Sequence, residues 1–220
     1  MNPKVSVFIA TSLDGYIART NGDIDWLDAA NATVPNGEDC GYGALMQSVD
    51  ALVMGRNSYE KVRSFGFWPY GDTPVVVMSS KPIAFPDDLP NTLQQSSESP
   101  QELCKRLSGD GVGHIYVDGG NTIQRFLAAG LVHEITITVI PVILGHGIPL
   151  FGPTTSDVPL TLVGVRTYEF GFVQLKYTVR QQYPGSVRSA EAHSFHSGSL
   201  LLMSGAIQDE TVHQVDPGGE

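Results

Sequence analysis

The sequence predicts an α/β protein with a mostly parallel central sheet, antiparallel strands near the C-terminal end and helices on both faces. Short β-branched runs alternate with helical segments along most of the chain, which is typical of a parallel sheet. Two later apolar runs are joined by a short turn, which predicts an antiparallel hairpin. The chain has 220 residues, 41% of them hydrophobic, and this is enough to bury one substantial core.

Each strand is predicted where apolar residues cluster between turn residues. In chain order the predicted strands are 4–11, 51–54, 73–78, 92–95, 114–117, 134–143, 159–167 and 171–180. Apolar spacing, with Pro100 as a start signal and Gly130 as a stop signal, predicts helices at 26–31, 38–48, 57–64, 100–108 and 121–130. Residues 1–182 form one predicted domain. Residues 183–220, rich in Ser, Gly, Pro and charge, form a predicted flexible extension.

Composition disfavours several classes of partner. The net charge is −10 and no Lys/Arg-rich block occurs, so nucleic acid is not an expected partner. No apolar run approaches the length of a membrane helix, and the first apolar stretch is too short for a secretory signal, so a cytoplasmic protein is expected. His193 and His196 form an isolated HxxH pattern without further ligands, and no metal site is predicted.

Ligands of open α/β sheets bind beyond the carboxyl ends of the strands. One segment that follows a predicted strand and opens a helix contains Gly119, Gly120, Asn121 and Thr122. Backbone N–H groups and the positive helix end would face one point there, which suits a pyrophosphate. The alternative is a tight turn that uses glycine only for its backbone freedom.

Two other strand ends carry phosphate-compatible residues. The first contains Gly55, Arg56, Asn57 and Ser58, and the second contains Ser79, Ser80 and Lys81. A guanidinium, an ammonium and hydroxyls suit phosphate groups. The alternative for Arg56 taken alone is a solvated surface arginine, and the alternative for the segment 79–81 is a polar turn. Because three such turns follow strands of one predicted sheet, a dinucleotide is the expected ligand. The usual glycine-rich fingerprint is absent, since the glycines at 109, 111 and 113 precede a strand.

Four stretches of sequence carry a family resemblance: SLDGYIA at 12–18, DALVMGRNSYE at 50–60, VVVMSSK at 75–81 and YVDGGNTIQRFLAAGLVHEITITVIPVILGHGIPLF at 116–151. Together they resemble the dihydrofolate reductase superfamily, in particular the branch that contains the C-terminal reductase domain of the riboflavin-biosynthesis deaminase-reductase. The resemblance spans about residues 3–181. It implies a dihydrofolate-reductase-like three-layer fold.

The resemblance also implies NADPH as the cofactor. Its pyrophosphate would lie at 55–58 and 119–122, and its 2′-phosphate near Arg56 and the segment 79–81. The backbone of Ala10 and Thr11 would border the nicotinamide, with the loop that contains Asp14 nearby as a substrate contact. The family also implies a homodimer, and dihydrofolate reductases join the two glycines by a cis peptide.

Residues for proton transfer and substrate binding follow from the same resemblance. Asp39, sixteen positions before Gly55, matches the spacing of the family's acidic residue, and Asp28 competes for the role. For both aspartates the alternative is a helix cap or a solvated surface charge. Trp26 and Tyr42 are expected to contact the substrate, although Tyr42 suits a core position equally well. Trp26 lies farther upstream of Asp39 than the family pattern has it.

The implied activity is NADPH-dependent reduction of a pyrimidine- or pteridine-type heterocycle. One candidate substrate is the riboflavin precursor 5-amino-6-(5-phosphoribosylamino)uracil. The alternatives are a dihydrofolate or pterin reductase of other specificity and a non-catalytic protein that senses NADPH. Zinc deaminase chemistry is excluded, because the chain lacks the P-C-x-x-C pair that this chemistry needs.

Overall fold

A computed structural model of the chain describes residues 2–180. The strands are β1 (Lys4–Ser12), β2 (Tyr16–Ala18), β3 (Ala51–Gly55), β4 (Val75–Met78), β5 (Leu93–Ser96), β6 (His114–Asp118), β7 (Glu134–Ile140), β8 (Ile148–Pro149), β9 (Leu160–Thr167) and β10 (Val173–Val179). The helices are α1 (Asp25–Asn31), α2 (Tyr42–Ser48), α3 (Arg56–Arg63), α4 (Pro100–Gly109) and α5 (Gly120–Ala128). The predicted extension 183–220 and the HxxH pattern lie outside the described residues.

Eight strands form the main sheet, in the order β5-β4-β3-β6-β1-β7-β10-β9. The pairs from β5 to β7 are parallel, whereas β10 pairs antiparallel with both β7 and β9. The predicted fold class and the predicted hairpin are therefore confirmed. A second small sheet pairs β2 with β8. The sequence did not predict these two strands, since segments of three and two residues carry no periodicity.

Helices pack on both faces of the sheet, as predicted. On one face, α4 and α5 bury Leu103 and Phe126 against alternate residues of the central strands, including Val7 and Val117. On the other face, α2 and α3 cover the intervening residues, such as Leu52. Because every second residue of a strand points to the same face, the two sets form two separate buried layers.

Strand register decides where the predicted ligand segments lie. Gly55 at the end of β3 pairs with Met78 at the end of β4, and Met54 pairs with Asp118 at the end of β6. Since these strands and β1 run in the same direction, their carboxyl ends meet at one edge of the sheet. This edge is called the ligand edge below.

Part of the sheet carries apolar residues with little helix over them. Ile137 of β7, Leu175 of β10 and Val165 of β9 lie side by side in register on the same face. Leu162 points to the same face as Val165, because a β-bulge between the two positions shifts the register of β9 against β10. Val165 and Leu162 are 55% and 53% exposed. The main contacts of α3 and α5 with the sheet fall instead on β3, β4 and β6. We call Ile137, Leu162, Val165 and Leu175 the open apolar face.

Candidate functional site

Two helices begin at the ligand edge on glycine residues. Gly55 precedes α3 and Gly119 precedes α5, and neither helix start receives a hydrogen bond from a capping side chain. In contrast, α4 begins with a complete capping box between Ser99 and Glu102. The first N–H groups of an α-helix have no partner within the helix, so uncapped starts suit an anionic ligand.

The first turns of α3 and α5 also touch each other. A Cβ atom added at Gly55 would lie 2.9 Å from Oγ1 of Thr122, and one added at Gly119 would overlap Oγ of Ser58. Gly119 has a φ of +86°, in the region that favours glycine. Peptide bonds of the described residues are trans, so the implied cis bond between Gly119 and Gly120 is not present. The predicted glycine segments therefore form one continuous cradle.

A cavity of about 380 Å³ lies beside the start of α3. Its lining includes three basic residues, Arg56, Lys81 and Arg125. The full lining is Arg56, Met78, Ser79, Ser80, Lys81, Ser96, Ser97, Glu98 and Arg125. The carboxylate of Glu98 lies 2.9 Å from the guanidinium of Arg106, which partly neutralises it. The cavity is thus suited to a phosphate-bearing ligand.

The Arg56 side chain organises the turn after β4. Its Nε donates to Oγ of Ser79 at 3.2 Å, and its terminal nitrogen donates to the carbonyl oxygens of Lys81 at 2.8 Å and Pro82 at 2.6 Å. These contacts hold Ser79 and Lys81 beside the start of α3. Arg56 therefore positions the turn in addition to bordering the cavity.

The other predicted cofactor residues differ in their exposure to solvent. Asn57, Ser80 and Asn121 are exposed at the ligand edge. Thr11 is buried near the end of β1, and Ala10 packs partly against a cluster that contains Trp26. The backbone of β1 at this point pairs with β7, in the register Ala10 with Thr138.

A carboxyl group and three phenols lie together at the end of β6. Burial raises the pKa of the Asp118 carboxyl, against the hydrogen bond from the backbone N–H of Gly119. The hydroxyl of Tyr116 donates to the carbonyl oxygen of Phe8 at 2.9 Å and lies 3.5 Å from Oδ1 of Asp118. Burial and then the charge of Asp118 raise the pKa of Tyr42 to about 12, and the same two causes raise the pKa of Tyr70. We call Asp118, Tyr42, Tyr70 and Tyr116 the phenol–carboxyl cluster.

The two aspartates proposed for proton transfer lie in other surroundings. The carboxylate of Asp39 accepts hydrogen bonds from the N–H groups of Gly41 and Gly43, both at 2.8 Å. These bonds lower the pKa of Asp39, which is exposed, so its carboxyl is ionised at neutral pH. Asp28 is exposed on α1. An ionised group at the start of a helix is a poor proton donor, which favours the cap interpretation for Asp39.

Of the predicted substrate contacts, Tyr42 lies beside Asp118, whereas Asp14 and Trp26 have other surroundings. Tyr42 belongs to the phenol–carboxyl cluster and packs 6.1 Å from Phe8, centroid to centroid. Asp14 accepts hydrogen bonds from Ser12 and from the N–H groups of Leu144 and Gly145, and these bonds lower its pKa to about 2. It therefore fastens the loop after β7 to the turn after β1.

Trp26 lies in a buried cluster with Ile140, Tyr168 and Phe172, and only 5% of it is exposed. Its indole ring is thus part of the core in this structure. The expected stacking contact between Trp26 and a substrate does not follow from this position.

Sequence reasoning assigned no role to several residues of the site. They are Tyr70, Ser96, Ser97, Glu98, Asp118 and Arg125. Asp118 had a signal, since it is the last residue of a predicted strand and directly precedes the double glycine. Arg125 had none, because it reaches the cavity only through the orientation of α5 beside β6.

Two further properties concern the described residues. None of their helices has the length and apolar character needed to span a bilayer. Their His, Cys, Asp and Glu side chains form no group of three or more that is suited to a metal ion.

The sequence matches the RibD C-terminal domain family over residues 3–174. The chain belongs to this family. It is 36% identical to an uncharacterized protein of Bacillus subtilis, YwjB, over 80% of this chain and 98% of the relative. A crystal structure described as a putative riboflavin biosynthesis protein from Shewanella sp. PV-4 is 38% identical and has a TM-score of 0.75, covering 82% of this chain and 99% of that one.

More distant members of the RibD-like group share the fold. A deaminase/5-amino-6-(5-phosphoribosylamino)uracil reductase of Thermotoga maritima has a TM-score of 0.61 at 17% identity, covering 81% of this chain and 57% of that one. The riboflavin biosynthesis reductase Rib7 of Saccharomyces cerevisiae has a TM-score of 0.53 at 15% identity, covering 81% and 90%. The expected dihydrofolate-reductase-like fold and its reductase-domain branch are thereby confirmed.

The glycine cradle generates a test of stability. Gly119→Ala places a side chain at a positive φ and against Ser58, so the free energy of unfolding is expected to fall by about 1–3 kcal/mol. Urea denaturation followed by circular dichroism measures the change. Gly109→Ala in α4 is the matched control, because a Cβ there meets nothing within 4 Å. Equal free energies of unfolding for the two variants contradict the close contact between Gly119 and Ser58.

Proposed function

We propose that this protein is an NADPH-dependent reductase of a pyrimidine- or pteridine-type heterocycle. The observation that carries the proposal is the cradle itself: two touching, uncapped helix starts beside a cavity lined by Arg56, Lys81 and Arg125. Backbone N–H groups would bind the pyrophosphate, and the basic side chains would bind the 2′-phosphate. Such a diphosphate would lie along the same edge of the sheet as the phenol–carboxyl cluster.

Bound NADPH supplies the hydride. The chain's own contribution is to bind, orient and protonate. Because its pKa is raised, Asp118 keeps a larger fraction of its carboxyl protonated than an exposed aspartate does, and it is the group that would donate a proton to the heteroatom beside the reduced carbon. Tyr42 and Tyr70 would wall the ring and limit access of water, with hydroxyls that stay protonated at neutral pH.

The family supports a reductase connected with riboflavin biosynthesis. The precursor 5-amino-6-(5-phosphoribosylamino)uracil is the substrate that the names of distant relatives indicate. Pterins and dihydrofolate remain as alternatives because a carboxyl among aromatic side chains also suits their amino-substituted rings. A non-catalytic NADPH sensor is the third candidate. The proposed activity requires NADPH, which is available in the cytoplasm, and a cytoplasmic location is therefore part of the proposal.

A panel of dihydrofolate, pterins, flavin and the pyrimidine precursor tests the activity through oxidation of NADPH at 340 nm. Oxidation with a pyrimidine or pterin supports the reductase. NADPH binding without oxidation by any of them favours the sensor.

Replacing basic residues of the cavity tests the position of the 2′-phosphate. Lys81→Ala and Arg125→Ala are each expected to weaken NADPH binding by roughly tenfold, because each removes one charge-assisted contact. NADH binding, which involves no such phosphate, is expected to change by less than about twofold. Isothermal titration calorimetry with both cofactors gives the ratio.

Lys105→Ala, an exposed residue of α4 away from the cavity, is the control for loss of one positive charge. Equal losses for NADPH and NADH in the two cavity variants contradict the assignment. Arg56→Ala is expected to weaken the binding of both NADPH and NADH, since it also releases the turn after β4.

The role of Asp118 has a pH signature. Asp118→Asn is expected to lower kcat by roughly 100-fold or more while NADPH affinity is retained, because the amide is no proton donor. In the wild type the protonated carboxyl is the active form, so activity falls as the pH rises through the raised pKa. The variant loses this descending limb. Pre-steady-state kinetics across pH measures both effects, and an unchanged limb in the variant assigns the proton to another group.

We further propose that two copies of the chain pack through the open apolar face. Its four residues are uncharged, so a two-fold arrangement brings no like charges together there despite the net charge of −10. Burying side chains as exposed as Leu162 and Val165 supplies the driving force.

The double variant Leu162→Lys, Val165→Lys is expected to shift a dimer to a monomer in sedimentation velocity. Thr161→Lys, on the opposite face of the same strand, is the control and is expected to stay dimeric. A monomeric wild type at tens of micromolar, or a dimeric double variant, contradicts this interface.

A further inference from the structure

The ligand edge has opposite electrostatic character at its two ends. At the cofactor end, Arg56, Lys81 and Arg125 line one cavity, and the carboxylate there, Glu98, is paired with Arg106. Arg56 lies 3.5 Å from the exposed carboxylate of Glu60, whereas Lys81 and Arg125 have no carboxylate of residues 2–180 within ion-pair distance.

The substrate end comprises the phenol–carboxyl cluster, which includes Tyr42 at the start of α2, and α1, whose Trp26 packs with Ala10 of β1 and Ile140 of β7. It also comprises the turn after β1 and the loop after β7, which Asp14 joins. Acidic residues predominate there.

Basic side chains near the substrate end are held by carboxylates. The guanidinium of Arg19 binds Asp25 through two nitrogen atoms, one of them at 2.8 Å from Oδ2. Nζ of Lys61 lies 3.2 Å from Oδ1 of Asp23.

The third such base is Arg166, whose guanidinium lies 2.9 Å from Oε2 of Glu38 and stacks 4.5 Å above the ring centroid of Tyr168. His146, in the loop after β7, is exposed. Among the described residues, the guanidinium and ammonium groups of this end are therefore engaged in ion pairs.

The remaining carboxylates make this end negative. The pKa of Asp14 is lowered to about 2 by its hydrogen bonds with Ser12, Leu144 and Gly145, so it is fully ionised at neutral pH. The backbone bonds of Asp39 lower its pKa as well. Asp28 adds a further exposed carboxylate on α1. None of these three has a basic side chain as its hydrogen-bond partner in the described part of the chain.

We propose that the substrate of this reductase carries no phosphate group and is neutral or cationic at neutral pH. The inference rests on the proposed function and specifies its substrate class. A phosphate monoester brings a charge of about −1.5 to −2 and needs cations or uncapped helix starts as partners. Here the cations of the substrate end lie in ion pairs. The first N–H groups of α1 and α2 already face the carboxylates of Asp25 and Asp39, and the starts of α3 and α5 belong to the cofactor end. The phosphorylated precursor is therefore not the preferred substrate of this chain.

A matched pair of compounds tests the proposal. The probes are 5-amino-6-ribosylaminouracil and its 5′-phosphate, compared by kcat/KM at saturating NADPH. The phosphate-free compound is expected to be preferred by at least about tenfold, since the negative charge of the substrate end repels the phosphate. Raising NaCl is expected to increase kcat/KM of the phosphorylated compound, because salt screens repulsion. Preference for the phosphate, or a fall of its kcat/KM with salt, overturns the proposal.

A variant that releases one cation sharpens the test. Asp25→Asn removes the partner of Arg19 with little change of shape, so the preference for the phosphate-free compound is expected to shrink severalfold. Asp110→Asn is the control, since it removes the same charge after α4, near the opposite edge of the sheet. Equal preference in the two variants contradicts a role for the ion pairs in excluding phosphate.

Failure of the proposed function gives a different result. If neither compound oxidises NADPH, the proposed reduction of this class of compound is contradicted, and the charge preference is then measured by calorimetry with both compounds on the NADPH-saturated protein. Tighter binding of the phosphate-free compound supports the charge inference even so. Tighter binding of the phosphorylated compound, or no binding by either, contradicts it.

Discussion

The contact between the first turns of α3 and α5 is the constraint on which the rest of the site depends. Two parallel strands, β3 and β6, lie next to each other, so the helices that follow them begin side by side. They approach this closely only because Gly55 and Gly119 have no side chains. A larger residue at either position separates the helix starts, and with them the N–H groups that point to a common ligand.

Polar side chains at the ligand edge divide into those that hold the framework and those that remain for chemistry. Arg56 binds the turn after β4, Asp14 binds the loop after β7, and Asp39 binds the first turn of α2. Lys81 and Arg125 line the cavity instead, and Asp118 is half-buried, with a carboxyl whose pKa is raised by burial. This division explains why residue type alone is a poor guide to function here: a carboxylate with two backbone donors is stabilised as an anion, whereas a desolvated one favours its proton.

Much of the architecture follows from local pattern. The run VVVM of β4 was readable because a strand buried on both faces is a short apolar run between turn residues. The sequence EITITVI of β7 was readable because its apolar residues recur at every second position. The glycine segments were readable because an uncapped helix start after a strand has a recognisable composition. Pattern did not reveal β2 and β8, which pair over two positions, or the burial of Trp26, which depends on Tyr168 and Phe172 far along the chain.

By itself, the sequence determined the fold class, the order of the main-sheet strands and the helices, the family resemblance and the three turns that suit phosphate groups, since all of these reside in short contiguous segments. Tertiary structure alone decided which charged residues face a ligand. Arg125 reaches the cavity through helix orientation, and Asp118 acquires its raised pKa from desolvation among neighbours such as Tyr42 and Tyr70. Burial and electrostatic environment are sums over residues distant in sequence, and no local pattern encodes them.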